Sequence, residues 1–231
     1  MINFLGLESG FGNYHTNAFF KTPNSLVFID LSGTNIKKAN KLLSENLDKD
    51  IYVLITHMHA DHISGIPIFT QTAFYVYEKT IKYLVPSNLE EDFKTYFKIT
   101  GINDNIYEFY KLDIAVGNVF EDFNLIPIKT YHCDELVGKC FGYLINANNK
   151  SILYTGDTAC ISDFKDYFSK IDELYIDCSV NYGKVHVKLS EILEYLGDNS
   201  IFDVYLMHLD DIEKASEIIK EKQKYHLGNV I

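Results

Sequence analysis

The chain has 231 residues, with 21 lysines, no arginine, no tryptophan, 32 acidic residues and a formal net charge of −11. That length supplies the core of one α/β domain spanning residues 1–231, and an acidic chain without a basic stripe excludes an extended grip on nucleic acid. The missing arginine also removes the planar fork favoured for phosphate and guanine contacts, which leaves a small-molecule enzyme as the open class.

Residues 1–12 carry no basic segment and no long apolar run, so no secretory leader is expected there. No stretch approaches the ~18 apolar residues of a membrane span, so no membrane partner is expected either. Residues 25–30 (SLVFID) read as a buried strand ending in Asp30. Thr34 can cap a helix with Ile36, Ala39, Leu42 and Leu43 on one face. Residues 51–56 (IYVLIT) form a near-continuous apolar run, the mark of a central strand. A further strand is predicted at 73–77, followed by polar, partly helical chain over 78–112. Strands then fit 123–129, 141–145, 151–155, Glu173–Asp177 and Asp203–Met207. Helices fit 161–169, 190–196 (Ser190 as cap, Gly197 as stop) and 211–222. Cys133, Cys140, Cys160 and Cys178 form no C-x-x-C pair, and as buried reduced thiols they fit a cytoplasmic protein.

The informative residues follow those apolar runs. After 51–56 comes His57-Met58-His59-Ala60-Asp61-His62; after 123–129 comes His132; after 151–155 comes Asp157; Glu173–Asp177 ends in Asp177, and Asp203–Met207 is followed by His208. Strand ends on one rim of a sheet converge in space, and loops held by a rigid sheet commonly carry binding residues. Imidazoles suit zinc and related divalent ions, and carboxylates both bind and bridge them. Seven candidate ligands (His57, His59, Asp61, His62, His132, Asp157, His208) exceed what one tetrahedral ion needs and suit two metals sharing a carboxylate and a water. His15 and His226 fit loop or surface hydrogen bonding, and Cys133 fits packing.

This constellation resembles the metallo-β-lactamase superfamily, whose H-x-H-x-D-H signature stands unbroken at residues 57–62. The resemblance implies an αββα sandwich, two mixed β-sheets flanked by helices, with a dinuclear site on its rim. It implies His57, His59 and His132 on one metal, Asp61, His62 and His208 on the other, and Asp157 bridging, with Asp61 also orienting or deprotonating the water. Two divalent ions are therefore expected, zinc foremost, with manganese and iron as alternatives. Within the superfamily the chain is most similar to ribonuclease Z and the cyclic-phosphate phosphodiesterases. The opening GLESGFGNYHTNAFF, the strand ending at Asp177 and His186, ahead of a helix, carry that likeness. It implies that Asp177 and His186 protonate the leaving oxygen. The acidic partner is Asp where ribonuclease Z usually has Glu, and no long basic arm for transfer RNA is present.

The expected function is hydrolysis of a small phosphodiester, such as a cyclic nucleotide, cyclic phosphate or short nucleotide. Lys184 or Lys188 would help hold phosphate, and Tyr14, Tyr131 or Tyr182 would stack on a base. A lactonase or thioesterase with the same metals, and a non-catalytic metal- or nucleotide-binding module, are the alternatives. The resemblance also allows a homodimer.

Overall fold

The computed structural model describes residues 2–114, 116–198 and 200–231, which build two mixed sheets. The first runs in sequence order through β1 (Asn3–Gly6), β2 (Asn17–Lys21), β3 (Ser25–Ile29), β4 (Asp50–Leu54), β5 (Ile81–Pro86) and β6 (Tyr107–Leu112). The second comprises β7 (Asn118–Val119), β8 (Phe123–Thr130), β9 (Cys140–Ala147), β10 (Lys150–Tyr154), β11 (Glu173–Asp177), β12 (Asp203–Met207) and β13 (Tyr225–Leu227). Each sheet starts antiparallel and turns parallel, from β3 to β6 in the first and from β10 to β13 in the second. The helices are α1 (Ile36–Ser44), α2 (Ala60–Ile63), α3 (Ile66–Tyr77), α4 (Glu90–Ile99), α5 (Leu189–Leu196) and α6 (Ile212–Ile219). This is the αββα arrangement of two mixed sheets flanked by helices.

Burial follows the sequence pattern. Every residue of β3 and β11 is buried, as parallel strands covered on both faces require. Helix α1 buries Ala39, Leu42 and Leu43, and α4 buries Phe93 and Phe97. Tyr83 of β5 packs at 5.1 Å from both Phe93 and Phe97 and hydrogen-bonds Thr70 of α3 through its hydroxyl. The sheets meet through Phe20 and Tyr52, both in edge contact with Phe123, and through the Tyr143 hydroxyl, which donates to the Ile55 carbonyl.

Residues 73–77, expected as a strand, are the last turns of helix α3, which ends at Glu78 in a left-handed conformation. Aromatic and β-branched side chains (Phe74, Tyr75, Val76, Tyr77) argue for a strand locally, but Ala73 and Phe69 pack as one helix face and set the outcome. The stretch 78–112, expected as polar and partly helical, holds helix α4 and also two strands, β5 and β6, that flank it. Residues 161–170 wind as 3₁₀ turns, Asn35 rather than Thr34 precedes α1, and Lys188 rather than Ser190 precedes α5. Gly197 does stop α5, with φ of 66°. The four cysteines are free thiols.

Candidate metal centre

Five loops that follow strands meet on one rim. Residues 57–62 follow β4, His132 follows β8, Asp157 follows β10, Asp177 closes β11 and His208 follows β12. All seven ligand candidates come together there, in two groups whose donor atoms lie within 4.8 Å of one another: His57, His59 and His132, and Asp61, His62, Asp157 and His208. In the first group His57 Nε2 lies 3.1 Å and His132 Nε2 3.3 Å from His59 Nδ1. In the second, Asp61 Oδ2 is 3.3 Å from both His62 Nε2 and His208 Nε2. Asp157 places Oδ1 3.4 Å from His62 Nε2 and Oδ2 3.3 Å from His208 Nε2. Its Oδ2 also stands 3.8 Å from Nε2 of both His57 and His132, so this one carboxylate faces both groups.

These spacings fit metal ligation. Donors about 2.0–2.1 Å from a tetrahedral ion lie about 3.4 Å apart. In His57, His62 and His132 the opposite ring nitrogen is engaged, which fixes the tautomer. His132 Nδ1 donates to the Val185 carbonyl at 2.8 Å, and His62 Nδ1 donates to Asp30 Oδ2 at 2.8 Å. His57 Nδ1 meets Thr56 Oγ1 at 3.0 Å, and that hydroxyl donates to Asp30 Oδ2 at 2.6 Å. His62 Nε2 is buried with no hydrogen-bond partner among the described residues, and stands 3.3 Å from Asp61 Oδ2 and 3.4 Å from Asp157 Oδ1. The donor set is thus borderline-soft nitrogen and hard oxygen, suited to a divalent first-row ion.

Two of these positions hold left-handed backbone without glycine: Asp30 at φ 57° and His208 at φ 56°. Such strain persists where the surroundings over-determine it. Asp30 Oδ1 accepts the Thr56 N–H at 2.9 Å, and the His208 N–H donates to Thr16 Oγ1 at 3.0 Å. An Asp closing an apolar parallel strand was the only sequence signal for the bracing role of Asp30.

Charge balance within the cluster is tight. Burial, aided by the neighbouring His62, holds His57 well below the ordinary imidazole range, and burial does the same more mildly for His59. For His62 burial opposes protonation, yet Asp157, Asp30 and Asp61 overcome it and raise the ring well above its usual value. His208 behaves alike: burial opposes, and Asp157, Asp177 and Asp61 push it up to about 10. Burial works against ionisation of Asp157, but His208, His62 and His57 hold its carboxyl well below the usual range.

Beside the cluster, His186 Nδ1 lies 2.7 Å from Asp177 Oδ2, with the ring one-fifth exposed. Asp177 is wholly buried; it also accepts the Thr158 N–H at 2.9 Å and faces His208 Nδ1 at 3.5 Å. Burial lowers the His186 pKa, but the charge and hydrogen bond of Asp177, with Asp157 behind, raise it above the ordinary value. His186, His59, Asp61, His132, Asp157 and His208 all line a cleft of about 910 Å³. Its mouth carries Phe11, fully exposed between Gly10 and Gly12, and Tyr182, three-quarters exposed. Gly10 has a packing reason: a Cβ there would meet Asp61 Oδ2 at 2.8 Å.

Of the expected aromatics only Tyr182 reaches the cleft; Tyr131 bonds Asp134 and Tyr14 sits by Lys38. Lys184 and Lys188 are exposed and do not line the cleft, whose described lining residues include no lysine. His226 sits 3.8 Å from Asp203, away from the cleft. No helix among the described residues is long and apolar enough to cross a membrane.

The family described as Anti-Pycsar protein Apyc1 matches residues 1–228. The anti-Pycsar protein Apyc1 of Bacillus phage 010DV004 is 24% identical over 234 residues, covering 91% of this chain and 89% of the phage protein. Among solved structures, the metallo-β-lactamase fold protein YhfI from Bacillus subtilis aligns with a TM-score of 0.78 at 17% identity, covering 100% of this chain and 95% of YhfI. A diphosphatase from the PhnP family aligns with a TM-score of 0.76 at 16% identity, covering 99% of this chain and 94% of that one. The fold is therefore the metallo-β-lactamase fold, and its rim carries His/Asp clusters able to hold metal ions.

Proposed function

The chain belongs to the anti-Pycsar protein Apyc1 family, and on that premise we propose that it is a dinuclear metal-dependent phosphodiesterase that opens a cyclic nucleotide. The observation that carries this reading is one carboxylate, Asp157, facing two donor groups, with the His186–Asp177 pair beside it in the same cleft. The family description supports the substrate class, since opposing Pycsar implies degrading a cyclic nucleotide. The cleft volume and its two rim aromatics suit a single nucleotide, with Phe11 and Tyr182 offering faces to the base.

His57, His59 and His132 would hold one divalent ion, Asp61, His62 and His208 a second, and Asp157 would touch both. Zinc is the foremost candidate. Such ions supply positive charge for the phosphate oxygens and lower the pKa of water at neutral pH. That charge matters in this protein, because the described cleft lining offers no lysine and the chain has no arginine.

The chain's own groups perform the remaining steps. Asp61, which lines the cleft beside Asp157, orients the attacking water. The water gives up one proton to solvent as its oxygen bonds to phosphorus on the face opposite the leaving ribose oxygen. As that P–O bond breaks, the Nε2 proton of His186 passes to the ribose oxygen, and a nucleoside monophosphate remains. Asp177 holds the ring in place, since Nδ1–H donates to it, and its charge favours the protonated form of His186 by raising its pKa against burial. Deep burial and its bond from Thr158 keep Asp177 in place through that transfer.

Incubating zinc-quantified protein with 3′,5′-cyclic nucleotides and following monophosphate by chromatography tests the reading. Hydrolysis that disappears on chelation and returns with zinc is expected. Hydrolysis of lactones or thioesters without any cleavage of phosphodiesters would replace it with the acyl-hydrolase reading.

A further inference from the structure

Residues 178–188 join β11 to α5, and three contacts of the site hang from the part of this loop after Cys178. The Val185 carbonyl orients the metal-ligand candidate His132, His186 reaches Asp177, and Tyr182 stands at the cleft mouth. Backbone bonds close the loop at its base: Ser179 N–H donates to Val187, and Leu189 N–H to Ser179, both at 2.9 Å. Between those points residues 181–185 are exposed, so no hydrophobic packing fixes their path.

A carboxylate from another element does. Asp210 lies between β12 and α6, two residues after His208. Its Oδ1 accepts the Val180 N–H at 2.7 Å, and its Oδ2 accepts both the Ser179 hydroxyl and the Asn181 N–H at 2.9 Å. The Ser179 oxygen in turn accepts the Tyr182 N–H at 2.8 Å, which carries the brace to the rim aromatic. Lys214 of α6 adds a bond to the Asn181 side chain at 2.8 Å.

We propose that Asp210 is a positioning residue that sets both His132 and His186 by pinning the loop 179–188. For His186 the inference rests on the general-acid reading above; for His132 it rests only on the observed Val185 contact. A charged acceptor taking three donors is among the stronger kinds of hydrogen-bonded brace. Partners that orient metal-ligating histidines typically change metal affinity or activity by about 10–100-fold when lost. Small misplacements of a proton donor likewise cost about 100-fold in rate.

The test compares D210A and D210N with D122A. Asp122 braces Asn24 and Ser25 through two bonds of 2.8 Å and is absent from the cleft lining, so it controls for losing a surface carboxylate clamp. Three readouts are taken: amide hydrogen exchange over 180–188, zinc affinity by chelator competition, and kcat and KM on cyclic AMP. For D210A we expect faster exchange confined to that loop, zinc bound at least tenfold more weakly, and kcat down at least tenfold with KM changed less. D210N, keeping one acceptor, should fall between, and D122A should match the parent in all three. Zinc affinity and kcat within twofold of the parent in D210A, or equal losses in D122A, would overturn the proposal. If the parent itself leaves cyclic AMP intact, the functional reading fails, while exchange and zinc affinity still decide the brace.

Discussion

Replacing His186 with alanine separates proton donation from everything the metals supply. The ring is held at Nδ1 by a 2.7 Å bond to a wholly buried Asp177, so Nε2 is the nitrogen left to meet substrate. A positioned general acid contributes about 10²–10⁴ in rate, or about 3–5 kcal/mol of barrier at 1.36 kcal/mol per tenfold. Because His186 is anchored through a carboxylate that is itself anchored, a loss of about 10³ in kcat is expected on cyclic AMP, whose leaving group is an alkoxide. Bis(4-nitrophenyl) phosphate releases an anion already stable at neutral pH and needs no such proton, so its turnover should stay within about fivefold. The assay is paired kcat values for the two substrates on H186A and parent protein, with metal content measured in each preparation. Equal loss on both substrates at equal metal content would refute the general-acid role, and so would no loss on cyclic AMP.

Three further outcomes follow from the same geometry. Asp177→Asn removes the charge that raises His186, so the alkaline limb of the kcat–pH profile should move to lower pH; a limb that stays in place would exclude His186 as its source. In the metal-free protein burial lowers His57 and His59, while against burial the surrounding carboxylates raise His62 and push His208 up to about 10. Zinc binding near pH 7.5 should therefore release protons, seen by calorimetry in buffers of different ionisation enthalpy, and heats independent of buffer would contradict this. Gly10→Ala places a methyl group 2.8 Å from Asp61 Oδ2, so bound metal and activity should fall with little change in Tm; full metal content and activity would show that the loop yields freely.

Much of the rim was legible because the parallel strands are nearly unbroken apolar runs, and the first polar residues after them stand at the strand ends. That logic locates His57–His62, His132, Asp157, Asp177 and His208 without reference to tertiary structure. It fails at residues 73–77, where aromatic and β-branched composition matches a strand and only packing against the rest of α3 decides otherwise. It also fails for β5, whose Lys82 interrupts the run and pairs with Asp50. The supports of the site are less visible still. The Val185 carbonyl and the Asp210 brace act through backbone atoms of a loop, and a backbone carbonyl carries no sequence signature. Phe11 was hidden for another reason: an exposed aromatic in a glycine-rich turn reads as neither core nor ligand until the turn is seen at the cleft mouth.

The central claim is that two metals sharing Asp157 open a cyclic phosphodiester. Its most direct test is turnover of 3′,5′-cyclic nucleotides by protein whose metal content has been measured, beside an Asp157→Ala variant. The account predicts about two metals per chain, conversion to the nucleoside monophosphate, and loss of both metal and turnover in the variant. Fully metal-loaded protein that leaves every cyclic nucleotide intact would contradict it.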